Sequence, residues 1–202
     1  MKWGRCEYRQ LIKLRDNLAK LQSADMDKFC RDTSKELAAR LLSLVIPATP
    51  VGNYKTEVKV TAKRDSKHHK KGDVYTKRVN RSGKMGGTLR RGWTARTEGE
   101  AAGGQGHPTA DQAKAYAEAL PISKQGATYV VEVINPVHYA SYVEFGHRQE
   151  VGRYVPAIGK TLKQGWVQGK YFLTLSEQDL RKKAPAVIEQ ELEKLLREVF
   201  RV

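Results

Sequence analysis

Two histidines, His138 and His147, flank the aromatic part of the segment N-P-V-H-Y-A-S-Y-V-E-F-G-H-R, residues 135–148, and Glu144 lies between them. Histidine and carboxylate are the side chains most used to move protons near neutral pH. As a catalytic set this one is incomplete, because no third residue is spaced to orient either ring. Both histidines therefore read as surface or interface residues. Glu144 reads as an acceptor for a backbone N–H or an arginine, within the chain or across an interface. No phosphate-binding glycine loop with its lysine, no H-E-x-x-H and no nucleophile elbow occurs in the sequence. His68-His69 could ligate a metal, but adjacent histidines in a lysine-rich stretch are ordinarily solvated. Cys6 and Cys30 fit no metal spacing and read as reduced, intracellular thiols. The expectation is no catalytic residue, no metal and no cofactor.

What the segment does carry is bulk. Asn135-Pro136 turns the chain. Tyr139, Ala140, Tyr142 and Val143 then form a short aromatic-aliphatic helical turn that stops at Gly146, since glycine enters the left-handed region without steric cost. So many large apolar groups on so short a piece must be buried, in a core or against a neighbouring subunit.

The elements that would position this turn can be read from periodicity. Leu11, Leu14, Leu18 and Leu21 place an amphipathic helix over Tyr8–Leu21. A second helix over Met26–Ile46 carries Met26, Phe29, Cys30, Thr33, Leu37, Leu41, Leu44 and Val45 on one stripe, and Pro47 ends it. Ala48 to Gly52 is a rigid exit loop. Tyr54–Ala62 alternates as a strand, and Thr88–Arg96 is strand-like through Leu89, Trp93 and Ala95. Thr97–Pro108 reads as a glycine-rich loop, Thr109–Leu120 as a short helix, and Thr128–Ile134 as the strongest strand. Gln149–Gln168 is loop-like, and Tyr171-Phe172-Leu173 is a small apolar anchor. Ser176–Asp179 resembles a capping box opening a helix over Gln178–Phe200, which Pro185 should kink or divide.

The chain has 202 residues, one domain's worth, with an apolar fraction of 40% and a net charge of +15. That balance implies an acidic partner, a nucleic acid or an acidic protein surface. The charge concentrates between residues 52 and 87. Lys63, Arg64, Lys67, Lys70, Lys71, Lys77, Arg78, Arg81 and Lys84 stand there against two aspartates between Lys63 and Lys84. With almost no large apolar residues, this stretch reads as a long mobile loop or hairpin arm. It suits a DNA backbone bound through counterion release, or an acidic surface. With Tyr75 as the one interleaved aromatic between Lys63 and Lys84, it is poorly made for stacking on single strands. No apolar run approaches the roughly 18 residues a membrane span needs. The N-terminus lacks the apolar core of a secretory signal, so a protein made in the cytoplasm is expected.

Three pieces together resemble the tail-component family of tailed phages, catalogued as gene-product-ten-like, whose members act as head–tail joining or tail-completion proteins. The first is the Thr49-Pro50-Val51 exit joined to G-x-L-R-R-x-W (Gly87, Leu89, Arg90, Arg91, Trp93). The second is the N-x-x-x-Y-A-x-Y-V-E-x-G signature within Val133–Gly146. The third is the pair Phe172-Leu173 followed by a charged C-terminal helix. The chain departs from the pattern in three ways. About 35 residues separate Gly52 from Gly86 where the family has a few, His147 follows Gly146 in place of threonine, and Tyr171 stands where proline is common.

The resemblance implies a single α+β domain over 1–202: a small, mostly antiparallel sheet with a long N-terminal helix and a C-terminal helix packed on it, strand 128–134 at its centre and the basic arm inserted. It further implies a non-enzymatic structural virion protein, assembled in the host bacterial cytoplasm. Such a protein forms a homo-oligomeric ring, of six subunits in the expected case, at the head-proximal end of the tail. The ring terminates the tube or joins it to the head connector. Its partners would be itself, the tail tube protein and the neck proteins, with DNA passing through the lumen. Tyr139, Tyr142, Glu144, Phe145, Arg148, Arg90, Arg91 and Trp93 would then serve core or inter-subunit packing, and the arm would reach the lumen or an adjoining ring. The other reading of the residues is a nucleic-acid-binding accessory protein whose main device is the arm 63–84.

Overall fold

With no glycine between Met26 and Ala48, and a run of leucines and alanines, the chain has no reason to break, and it forms one helix, α1 (Met26–Ala48). A computed structural model describes residues 12, 13, 15, 16, 19, 26–80, 86–156 and 160–200, with side chains through 198. Ile12, Lys13, Arg15, Asp16 and Ala19 are helical. The stripe expected there (Leu11, Leu14, Leu18, Leu21) lies outside the described residues, as do Cys6, Arg81 and Lys84.

After α1 come β1 (Thr56–Thr61), β2 (Val74–Val79), α2 (Thr88–Arg91) with a 3-10 turn over Gly92–Thr94, α3 (Glu98–Gly103) and α4 (Ala110–Ala119). Then follow β3 (Ile122–Gln125), β4 (Thr128–Val131), α5 (Ala140–Phe145), β5 (Gly146–Arg148), β6 (Tyr154–Val155), β7 (Lys160–Thr161), β8 (Trp166–Gln168) and α6 (Phe172–Phe200). The α+β class, the antiparallel pairing and both long helices are as expected. The strands form four two-stranded ladders: β1–β2, β3–β4, β5–β8 and β6–β7.

The core is helical. α1 packs against α4 and α6. Ala38, Leu42, Val45 and Ile46 of α1 meet Leu89, Trp93, Ala101, Ala113, Ala117, Val137 and Phe172. The alanines let backbones approach closely, and Trp93 and Phe172 fill the remaining volume edge to face, with ring centroids 6.2 Å apart. The stripe of α1 is rotated from the expected one. Leu42 and Val45 are fully buried while Leu37, Leu41 and Leu44 are half-buried. A helix covered on two sides buries a wider face than one stripe describes.

Other expectations are corrected. Thr88–Thr94 is helical, with Ala95 extended after it, because the spacing of four between Leu89 and Trp93 wins over the alternation through Ala95. Within Thr97–Pro108 lies α3, capped by the Thr97 hydroxyl, which accepts from the Glu100 N–H. The strand begun at Thr128 ends at Val131 and pairs only with β3, so it is half of a hairpin and not a sheet centre; Val133 packs instead against the helical core. Gln149–Gln168 contains three short strands, β6 to β8. Ser176 is no cap: α6 begins at Phe172, and the Ser176 hydroxyl donates back to the Phe172 carbonyl at 2.7 Å. Pro185 lies inside α6, which continues through it.

Asp27 fastens the β3–β4 hairpin to the first turn of α1. Its carboxylate accepts from Arg31 at 2.6 Å, from Lys124 at 2.8 Å and from the Tyr129 hydroxyl. Arg31, then Lys124 and Tyr129, hold the Asp27 carboxyl well below the usual carboxylate range. In return the Lys124 ammonium is pushed up to about 12.

Candidate assembly surface

The signature turn is held from three directions. Asn135 anchors its start. The side-chain amide donates to the Leu89 carbonyl at 2.8 Å, and the side-chain oxygen accepts from the Val137 N–H. This places the Asn135 side chain flush on Gly92, where an added Cβ would lie 2.2 Å from its oxygen. Gly92 therefore has to be glycine. Tyr139 opens α5 half-buried, and burial pushes its phenol up, which keeps it neutral.

The end of the turn is tied to the start of α6 in both directions. Glu144 is 3% exposed. Its carboxylate accepts from the backbone N–H groups of Leu173 (2.9 Å) and Thr174 (2.8 Å) and from the Thr174 hydroxyl (2.7 Å). Those N–H groups belong to the first turn of α6, which has no intrahelical partners for them. A carboxylate at that end also meets the positive pole of the helix. Glu144 is thus a helix cap delivered from about 29 residues away, and all three of its partners lie in its own chain. Main-chain bonds run the other way: Lys170 N–H donates to the Val143 carbonyl and Tyr171 N–H to the Glu144 carbonyl. Gly146 has φ +84°, and Gly169 runs so close that a Cβ would lie 2.3 Å from the Glu144 carbonyl. β5 then pairs with β8, Gly146 opposite Gln168.

Tyr171 has φ 51°, the sole positive φ on a non-glycine residue among the described ones. Proline fixes φ near −65° and has no N–H. A proline at this position could supply neither the backbone angle nor the bond to Glu144 that Tyr171 makes.

Arg90, Arg91 and Trp93 brace the turn from behind. Arg90 donates to the carbonyls of Thr49 (2.6 Å) and Pro47 (3.0 Å), capping the end of α1, whose last turn has no basic residue of its own. The Trp93 indole donates to the Thr49 hydroxyl at 2.7 Å, and that hydroxyl donates to the Val45 carbonyl. The buried guanidinium of Arg91 donates to the carbonyls of Ala101, Gly86 and Gly106. The exit loop and L-R-R-x-W, separate in the sequence, thus form one clamp.

What this scaffold presents outward is aromatic. Tyr142 is 56% exposed and Phe145 58%. Phe145 and Ile134 rim a cleft of about 360 Å³ lined also by Trp93, Val137, Phe172 and Leu173. Tyr142 meets the His147 ring at 5.6 Å. Arg148, exposed, stands opposite Trp166 on β8.

The two histidines do not meet as a pair. His138 bonds Glu98 of α3 through Nδ1 at 2.6 Å, on the surface, and no nucleophilic side chain is bonded to its ring among the described residues. His147 contacts Gln149, and its buried Nδ1 has no hydrogen-bond partner. Glu98 was not legible as a partner because it lies 40 residues upstream. His68 is exposed, and His69 stacks on Tyr75. Cys30 is a half-buried free thiol. Among the described residues no group of three His, Cys, Asp or Glu side chains is placed to hold a metal ion, and no helix is long and apolar enough to cross a membrane.

The arm is a hairpin. β1 and β2 pair from Thr56–Val79 to Thr61–Val74. Its base is pinched where Gly86 meets Gly52, a Cβ on Gly86 falling 2.3 Å from the Gly52 carbonyl. The extra residues of the chain therefore leave and re-enter the domain at one point.

No curated protein and no solved structure matches the chain. The family model described as "Bacteriophage HK97-gp10, putative tail-component" matches residues 12–146. That span holds the α1 exit, the L-R-R-x-W brace and the aromatic turn, and it closes on Gly146 where the turn closes. The chain belongs to this HK97-gp10-like family of phage tail components.

Proposed function

We propose that the chain forms a closed homo-oligomeric ring at the head-proximal end of the tail, where it terminates the tube or joins it to the head connector, and that it catalyses no reaction. The observation that carries this reading is the exposure of Tyr142 and Phe145 on a turn whose buried polar groups are satisfied within the chain. Exposed aromatics on a rigid support cost little entropy to dock and are the commonest anchors of interfaces. A ring uses heterologous contacts, so the aromatic face of one subunit meets a different face of the next. Tyr142, Phe145, Ile134 and Arg148 belong to the seam in this reading. Arg90, Arg91, Trp93 and Glu144 serve it indirectly, by fixing the turn.

Tyr142→Asp tests the proposal. Its ring is largely exposed, so the monomer should fold, with the melting temperature of the isolated subunit unchanged, while light scattering shows loss of the oligomer. An oligomer of native size in this variant, or particles of normal tail length and infectivity, would refute the seam. Micrographs of particles lacking the protein separate the two roles: overlong tails mark a terminator, and normal tails without heads mark a joining protein.

A further inference from the structure

The hairpin makes few contacts with other elements, and its tip is unusual in how its charges are used. Ala62–Asp73 carries Lys63, Arg64, Lys67, Lys70 and Lys71 with only Asp65 and Asp73. Neither aspartate neutralises a cation. The Asp65 carboxylate accepts from the Lys71 backbone N–H at 2.6 Å, and the Asp73 carboxylate from the Lys70 backbone N–H at 2.7 Å. Further bonds close the loop: Ser66 N–H to the His69 carbonyl, Asp73 N–H to the Lys70 carbonyl and Gly72 N–H to the Ala62 carbonyl. The His69 ring lies flat on Tyr75 at 4.1 Å. The acids thus build the loop, and the five cationic side chains, all exposed, have no ion pair among the described residues.

We infer that this tip is a preformed polycation site for the phosphate backbone of duplex DNA. The geometry favours duplex over single strands, because Tyr75, the one Phe, Trp or Tyr between Lys63 and Lys84, is engaged by His69 and not open for stacking on bases. It favours nucleic acid over a protein surface, because the tip offers no aromatic or aliphatic anchor from 63 to 73. A two-stranded ribbon is also narrow enough for the roughly 12 Å major groove. The contacts are to phosphate, so binding is independent of sequence. The site does not depend on the chain closing into a ring.

The test is fluorescence anisotropy of the full chain with a mixed-sequence 30-base-pair duplex from 50 to 200 mM KCl, with oligomer size read in the same samples. Five phosphate contacts give a slope of log affinity against log salt of about −4.5, which weakens binding about 500-fold over that range. Replacing the five tip cations by glutamine (Lys63→Gln, Arg64→Gln, Lys67→Gln, Lys70→Gln, Lys71→Gln) should remove at least half of the slope and leave the melting temperature unchanged, since backbone and aspartates hold the loop. A control with Lys28, Lys114, Lys163, Lys170 and Lys183 changed to glutamine, all exposed on the body, should keep the native slope. No binding at 50 mM KCl overturns the proposal, as does a control that loses as much as the tip variant. Failure of the tip variant in head–tail joining without any DNA binding would also overturn it, in favour of an acidic protein partner. A tip variant with native oligomer size but lost DNA binding supports the site, and its outcome is separate from the fate of the ring.

Discussion

Replacing Glu144 by alanine should destabilise the fold far more than a surface charge change does. The carboxylate is buried and takes three hydrogen bonds from the first turn of α6. Bonds to a charged group contribute roughly 1.5–3 kcal/mol each when measured singly. They share one acceptor group here, so they do not add, and part of the gain offsets the desolvation of the carboxylate. A cap of this kind, with the favourable helix pole, contributes about 1–3 kcal/mol. Truncation also strands two backbone donors away from solvent, so about 3 kcal/mol is expected for Glu144→Ala. For a chain of this size that lowers the melting temperature by about 6–12 °C. Glu144→Gln retains one acceptor oxygen but points an amide N–H at a donor, and should cost about half as much. The assay is thermal unfolding by circular dichroism at fixed protein concentration, with oligomer size checked first, because assembly itself raises the midpoint. A Glu144→Ala midpoint within about 2 °C of the native one would refute the capping argument. If that unchanged midpoint came with loss of the oligomer, the residue would be acting across the seam.

Tyr171→Pro should cost about 3 kcal/mol, because proline cannot take φ 51° and removes the N–H that donates to Glu144; an unchanged denaturant midpoint would overturn that. Excising residues 53–85 and joining Gly52 to Gly86 through two glycines should leave the melting temperature within about 2 °C, since the hairpin base is already closed and its strands pack mainly on each other. A large fall would mean that the arm supports the core. Asp27 has a carboxyl held below its ordinary range, so its contribution is present above the unfolded value near 3.8 and is lost as pH falls below it. Asp27→Asn should therefore flatten the acid limb of stability against pH, read by urea unfolding between about pH 5 and pH 2; an acid limb identical to the native one would refute the anchoring of the β3–β4 hairpin.

Much of this was legible in the sequence because it depends on neighbours. The span of α1, the helix α4 and the stop of the aromatic turn at Gly146 follow from spacing and glycine, whereas the second strand of the arm and the Thr109 capping box emerged only in the structure. The errors share one cause. Leu89, Trp93 and Ala95 fit both a strand and a helix, and the clamp on Thr49 decided between them. Ser176 had the composition of a cap, but Glu144 had already capped the helix one turn earlier. The strength of Thr128–Ile134 as a strand measured its apolar content, and half of that content packs on helices.

The sequence by itself determined that this chain is basic and that it carries one compact aromatic turn; these depend on residue types alone. The tertiary structure alone decided which of its charges are structural. Arg90, Arg91 and Glu144 each bond backbone groups of distant segments, because buried carbonyls and N–H groups must be paired and the nearest partner in space was not the nearest in sequence. Five exposed cations with no ion pair among the described residues cluster at the tip of the arm, and the exposed Tyr142 and Phe145 stand together on the turn.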